Sequence, residues 1–154
     1  MLGEYFRLAL IVALSALLIA AAITDLRARI ISNRLNLAIA ALAPLWWIAC
    51  GLDLWPGVAV QLLVCGMVFL LFAALFSMGM MGGGDVKLLA ALALWFPWQA
   101  VISLLVLMAL LGGLVTLVTV IHHRMTRRLG QPEIPYGVAI SLAALWLLPW
   151  PTIY

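Results

Sequence analysis

The sequence predicts an all-α integral membrane protein: six transmembrane helices with short loops and no soluble domain. Three observations carry this. Of the 154 residues, 68% are hydrophobic and 8% charged, where a water-soluble domain carries about a quarter charged residues. The mean hydropathy is +1.28, and long apolar runs alternate with short polar breaks. Seven of the eight basic residues fall in alternate breaks. A helix needs about 20 apolar residues to cross about 30 Å of hydrocarbon, so the chain is expected to form one membrane domain over residues 1–154.

The runs are Leu8–Thr24, Leu35–Leu52, Val58–Met81, Val86–Trp98, Ala100–Ile121 and Pro135–Trp150. The first has Arg7 as its nearby positive charge, and Asp25 stands where a signal peptide would need a small-residue cleavage site. It is expected to be a retained helix. Arg27, Arg29 and Arg34 occupy the first break, Lys87 borders the third, and Arg124, Arg127 and Arg128 occupy the fifth. The second break (Asp53 to Gly57) and the fourth (Phe96 to Gln99) hold no Lys or Arg. The positive-inside rule therefore places breaks one, three and five in the cytoplasm and both termini on the far side. Trp46, Trp47, Trp55, Trp95, Trp98, Trp146 and Trp150 lie mostly towards the opposite ends, as interfacial aromatics do.

Composition also limits function. The pI near 9.3 follows from this topology, so no nucleic-acid partner is expected. The cluster Arg124, Arg127 and Arg128 is expected to set orientation and touch anionic lipid. Cys50 and Cys65 form no CxxC pair and read as buried, inert thiols. His122 and His123 have no carboxylate or cysteine at ligand spacing, so they read as solvated and no metal is expected. Gly112-Gly113 reads as a close helix contact.

The segment Gly82-Gly83-Gly84-Asp85-Val86-Lys87 interrupts what would otherwise be continuous apolar sequence. An ionisable residue at bilayer depth is expensive, and marks chemistry or transport more often than ornament. A charged flank is the ordinary account of a single aspartate at a helix end, and a snorkelling anchor that of Lys87. The alternation of breaks, however, puts Asp25 and Asp85 at one membrane face, with Glu133 and the turn Pro135-Tyr136-Gly137, while Asp53 lies on the other. The glycines are expected to form a loop able to adopt positive φ and to admit another backbone closely. Two carboxylates within a few ångströms cannot both ionise easily. They titrate as a unit, one able to draw a proton from water and the other to polarise a carbonyl.

These residues resemble the type IV prepilin peptidases, membrane aspartic proteases with a GxGD motif. Gly82-Gly83-Gly84-Asp85 fits GxGD, and Val86-Lys87-Leu88 is similar to its usual continuation. Asp25 with Arg29-Ile30-Ile31-Ser32-Asn33 looks like the family's first aspartate and its isoleucine-proline-asparagine element, with Ser32 in place of proline. Pro135-Tyr136-Gly137-Val138-Ala139-Ile140 looks like the proline-aromatic-glycine segment that opens the last helix.

The resemblance implies that Asp25 and Asp85 are the catalytic pair and that Gly82, Gly84 and Lys87 belong to the active-site loop. Asn33, Pro135, Tyr136 and Gly137 would bind substrate or shape the site. It implies no cofactor, a place in the inner (cytoplasmic) membrane, and a pilin-like precursor as partner. The precursor's basic leader would be cut from a hydrophobic helix at the cytoplasmic face. N-methylation accompanies extra cysteine pairs in many members; lacking them, this chain resembles the short forms of tight-adherence pilus systems or the archaeal preflagellin peptidases, and methyltransferase activity is expected to be absent. The presenilin-type GxGD proteases pair the motif with tyrosine-aspartate in the preceding helix, unlike Thr24-Asp25 in the first. Two other classes fit the carboxylates: a small transporter or proton-coupled channel, and a non-catalytic assembly scaffold. Transporter sites favour the midplane and internal repeats; here both aspartates are expected at one face.

Overall fold

The structure, a computed structural model, describes residues 2–125 and 135–148. Arg127, Arg128, Glu133 and Trp150, and the side chains of His122, His123 and Arg124, lie outside the described residues. The described chain is helical without strands: α1 (Leu2–Ala28), α2 (Asn33–Cys50), α3 (Ala59–Ser77), α4 (Gly83–Ala93), α5 (Trp98–Met125) and α6 (Tyr136–Leu147). A short turn, Leu54–Val58, kinked at the extended Trp55, leads into α3. Among the described residues, three segments are long and apolar enough to cross a membrane: Gly3–Ala28, Leu54–Ser77 and Trp98–Ile121. Helix α2 has 18 residues, α4 has 11 and α6 has 12.

The helix boundaries have local causes. Ser32 opens α2 in extended geometry, its hydroxyl accepting the Leu35 N–H at 3.3 Å. The serine that departs from the family's proline is thus an N-cap. Gly51 closes α2 with φ of 68° and returns its N–H to the Ile48 carbonyl, a left-handed C-cap. Helix α1 ends on Arg29, which adopts φ of 55° although it is not glycine. Its N–H still reaches the Asp25 carbonyl at 2.9 Å.

Helix α4 is the centre of the bundle. It packs on α2, α3 and α6, while α1 packs on α2 and α6, and α5 packs on α6. Asp85, Val86 and every residue from Leu88 to Ala93 are buried, the all-round apolar pattern of a helix enclosed by others. At 1.5 Å per residue, 11 residues reach about 16 Å, well short of a bilayer. The chain therefore leaves helical geometry within the bundle. Backbone groups there must find partners in protein, and side chains from neighbouring helices provide them. Trp47 Nε1 donates to the Leu94 carbonyl at 2.7 Å, and Gln61 Nε2 to those of Leu94 and Phe96 at 3.3 and 3.1 Å. Trp95 Nε1 donates to the Ile39 carbonyl at 2.9 Å.

Two expectations change here. Trp95 is a core residue, 2% exposed, with Trp46 stacked on it at 5.6 Å; an indole can be buried once its N–H has a partner. Among the described tryptophans, Trp55, Trp98 and Trp146 are exposed, as expected of interfacial aromatics. The run placed at Val86–Trp98 begins three residues earlier, because Gly83, Gly84 and Asp85 are helical.

Gln61→Leu should lower stability. Interhelical hydrogen bonds in membrane proteins contribute about 0.6 kcal/mol on average, and an orphaned carbonyl adds to that, so a loss of about 1–2 kcal/mol is expected. Unfolding of the purified chain in mixed micelles would measure it; an unchanged midpoint would mean that the Gln61 hydrogen bonds contribute nothing to stability.

Candidate active site

One helix end and two helix starts converge at one end of the bundle. Helix α1 delivers Asp25 in its last turn, α4 delivers Asp85 in its first, and the start of α6 lies against Asp25. Both carboxylates belong to buried residues, Asp25 at 5% and Asp85 at 8% exposure, and buried charge must be held by donors. Backbone N–H groups do this for each.

Asp25 Oδ2 accepts the Val138 N–H at 3.0 Å, and the Gly137 N–H is directed at the same carboxylate. These are the second and third helical residues of α6, whose capping position is Pro135, a residue with no side-chain acceptor. Asp25 thus serves as the N-cap of a helix 113 residues away. A helix start carries partial positive charge, so an anion there is well placed. The contact needs glycine at 137: a Cβ would stand 2.8 Å from Asp25 Oδ2 and 2.5 Å from Ile31 Cδ1.

Asp85 occupies the third position of α4, ahead of its apolar run, and its carboxylate accepts the N–H of Gly82, the N-cap. This is the returning half of a capping box. Its carboxyl is pushed up to about 7, by burial first and by the Asp25 charge second, with the Gly82 N–H acting the other way. The two aspartates therefore sense one another across a shared space. They line a cavity of about 560 Å³ together with Ala28, Arg29, Met80, Gly82 and Tyr136. Both also line an adjoining space of about 240 Å³ beside Ile31, Gly83 and Gly84.

The glycines act differently from expectation. Gly82 has φ of −73°, and the described glycines with positive φ are Gly51 and Gly79. GGGD is the start of a helix rather than a loop of unusual dihedrals. What glycine provides is close approach: a Cβ on Gly84 would meet the Ile31 Cβ and carbonyl at 3.2 Å, and one on Gly82 would meet Asp85 Oδ2 at 2.9 Å.

Lys87 departs further. Its Nζ donates to Asn33 Oδ1 at 2.8 Å, and neither residue lines the two aspartate cavities. One helical turn beyond Gly84, it faces α2. Tyr136 does line the larger cavity, and Pro135 precedes it as the α6 cap. Asn36 went unnoticed in sequence: its Nδ2 donates to the Gly84 carbonyl at 3.0 Å, tying α2 to the first turn of α4. An asparagine inside an apolar run was the available signal. Among the described residues no group of His, Cys, Asp and Glu is arranged to hold a metal ion.

Comparison with known proteins identifies related sequences. The family model for the type IV leader peptidase family matches residues 12–117, which include both aspartates. The chain is 36% identical over 72 residues to a prepilin leader peptidase/N-methyltransferase of Aeromonas salmonicida (strain A449). It is likewise 36% identical over 73 residues to the protein of that name from Aeromonas hydrophila. Each match covers 46% of this chain and 23% of the relative, so it spans less than a quarter of the curated relatives' length. No solved structure matches the chain.

Gly137→Ala should lower stability by about 1–3 kcal/mol through overpacking, read as a lower unfolding midpoint; a neutral result would show that α6 can withdraw from Asp25 without cost. Asp85 holds its proton to about 7 in the fold, against about 3.9 in an unfolded chain. The fold is thus favoured at low pH and loses that margin as pH rises from about 4 to about 7. The wild-type midpoint should therefore fall between about pH 4 and 7, and this slope should flatten in Asp85→Asn.

Proposed function

This chain belongs to the type IV leader peptidase family, and from that premise we propose that it is a membrane aspartic endopeptidase whose catalytic pair is Asp25 and Asp85. The observation that carries the reading is the shared cavity: two buried carboxylates, from α1 and α4, face one space of about 560 Å³ and are each fixed by backbone donors.

The chemistry follows from the pair. Like charges in one site disfavour double ionisation, so the two hold a single proton between them. The ionised carboxylate takes a proton from water as the water oxygen attacks the scissile carbonyl carbon. The protonated one gives its proton to the carbonyl oxygen, forming a neutral gem-diol. Collapse returns one hydroxyl proton to the ionised carboxylate while the protonated one gives its proton to the departing amine nitrogen, so the C–N bond breaks, the new carboxyl keeps the other hydroxyl, and the pair regains its single proton. Main-chain donors hold both side chains before substrate arrives, the preorganisation that positioning requires.

The substrate class is a pilin-like precursor with a short basic leader ahead of an apolar helix. The names of the Aeromonas relatives, prepilin leader peptidase/N-methyltransferase, support a prepilin as the substrate. The leader would approach the acidic cavity while the helix stays among the spans. The orientation proposed is six spans, termini away from the cytoplasm and the aspartates at the cytoplasmic face of the inner membrane. Peptidase activity alone is proposed: α1 and α2 are joined by residues 29–32, which leaves no room there for the cysteine pairs that accompany N-methylation.

Incubation of the full chain in proteoliposomes with a pilin-like precursor tests the pair. Asp25→Asn and Asp85→Asn should each slow cleavage by about 10²–10⁴-fold, the range for loss of an acid–base group. Undiminished processing by either variant would remove the dyad, and ion flux without cleavage by the wild type would favour a transporter. Cysteine labelling at Arg27 or Lys87 positions from the cytoplasmic side should succeed; labelling from outside alone would reverse the orientation.

A further inference from the structure

On the flank away from the aspartates, α2 and α3 each pack on α4, leaving a cleft of about 410 Å³ whose floor is Ala90, Ala91 and Leu94. Leu37 and Ala40 line one wall and Cys65 and Phe69 the other. Leu37 and Phe69 are exposed at 69% and 43%, so the cleft opens outward from the bundle. Its walls are apolar, but its end nearest the start of α4 is not. There stand Lys87, Asn33 and Asn36. Asn36 is 5% exposed, and while its Nδ2 is engaged by Gly84, its Oδ1 has no hydrogen-bond partner. A buried acceptor without a donor is uncommon in a folded protein.

The chemistry of the cleft identifies what fits. Lys87 and Leu94 are seven residues apart, about 10 Å at 1.5 Å per residue. Along that length the cleft is open to the outside and walled by apolar side chains, a surface that a flexible acyl chain can follow. The polar end asks for an anion beside Lys87 and a hydroxyl donor beside Asn36.

We propose that the α2–α3–α4 cleft is a binding site for one anionic phospholipid with a hydroxyl-bearing headgroup: an acyl chain lies along Leu37, Ala40 and Phe69, the phosphate meets Lys87, and a headgroup hydroxyl donates to Asn36. Lys87 reaches the phosphate by extending a flexible stem from its contact with Asn33, as basic side chains near helix ends do. The site is separate from the aspartate cavities. It nevertheless touches the same turn of α4, because Asn36 holds the Gly84 carbonyl.

Phosphatidylglycerol is the probe. The full chain, extracted in mild detergent, is titrated with it and examined by native mass spectrometry, with Ala40→Phe to fill the cleft and Lys87→Gln to remove the cation. Wild type should keep one phosphatidylglycerol through delipidation. Lys87→Gln should hold it about fivefold less, the effect of one basic residue near an anionic lipid, and Ala40→Phe should lose it. Equal retention by wild type and Lys87→Gln would reduce the cleft to ordinary lipid contact and overturn the site, even if Ala40→Phe does not fold. A photocrosslinker at Leu37 should capture lipid; capture of a pilin-like precursor instead would give the cleft to substrate and overturn it too. Lipid retention is read without any cleavage, so the outcome is independent of the peptidase reading.

Discussion

An α-helix leaves its first backbone N–H groups without partners, and in hydrocarbon water does not supply them. In α6 the residue that would cap, Pro135, has no acceptor in its side chain, and the carboxylate of Asp25 takes that role from the far end of the sequence. The rest of the site is arranged around this contact. Gly137 allows it, Ile31 packs beside it, and Gly84 of α4 lies against Ile31. A methyl group at Gly137 would press on Asp25 and Ile31, and one at Gly84 on Ile31 in the link between α1 and α2. Close packing at these glycines, rather than any unusual dihedral, lets the two aspartates line one cavity.

The second requirement is that α4 be short and central. A helix that crossed the bilayer fully would not need Gln61 and Trp47 to close its carbonyls. Because it stops early and lies between α2, α3 and α6, its first turn is held from one direction by Asn36 on α2 and from another by Phe76 against Gly83. Asp85 is thereby fixed at the rim of the cavity by packing, with its carboxylate returned to the Gly82 N–H. Burial that would disfavour an isolated carboxylate also raises its proton affinity, which is the property an acid–base pair uses.

Much of this was legible in the sequence, and the limits are physical. Composition and the alternation of basic breaks indicated the helical membrane class, and the order of Asp25, GGGD and Pro135-Tyr136-Gly137 marked the segments that meet. The role of the glycines was misread because contact and positive φ look alike in a sequence: both ask for the absence of a Cβ. Lys87 was drawn into the active site by adjacency along the chain, whereas a helical turn aims it at α2. Trp95 was assigned to the interface on residue type, although its neighbours Ile39 and Trp46 give it a buried place. Asn36 and Gln61 were visible as polar residues in apolar runs, but their partners are backbone carbonyls 48 and 33 to 35 residues away, which no local pattern encodes.

Helix α5 illustrates how far a single contact extends. It has 28 residues, makes its substantial packing on α6, and presents most of its surface outward. Helix α6 in turn is seated by the carboxylate at the end of α1. The lever arm is long: a side chain at one corner of the bundle supports α6, and α6 is the helix on which α5 packs. In mechanical terms Asp25 is a pin, and loss of its carboxylate would change the load on α6 and, through it, on α5.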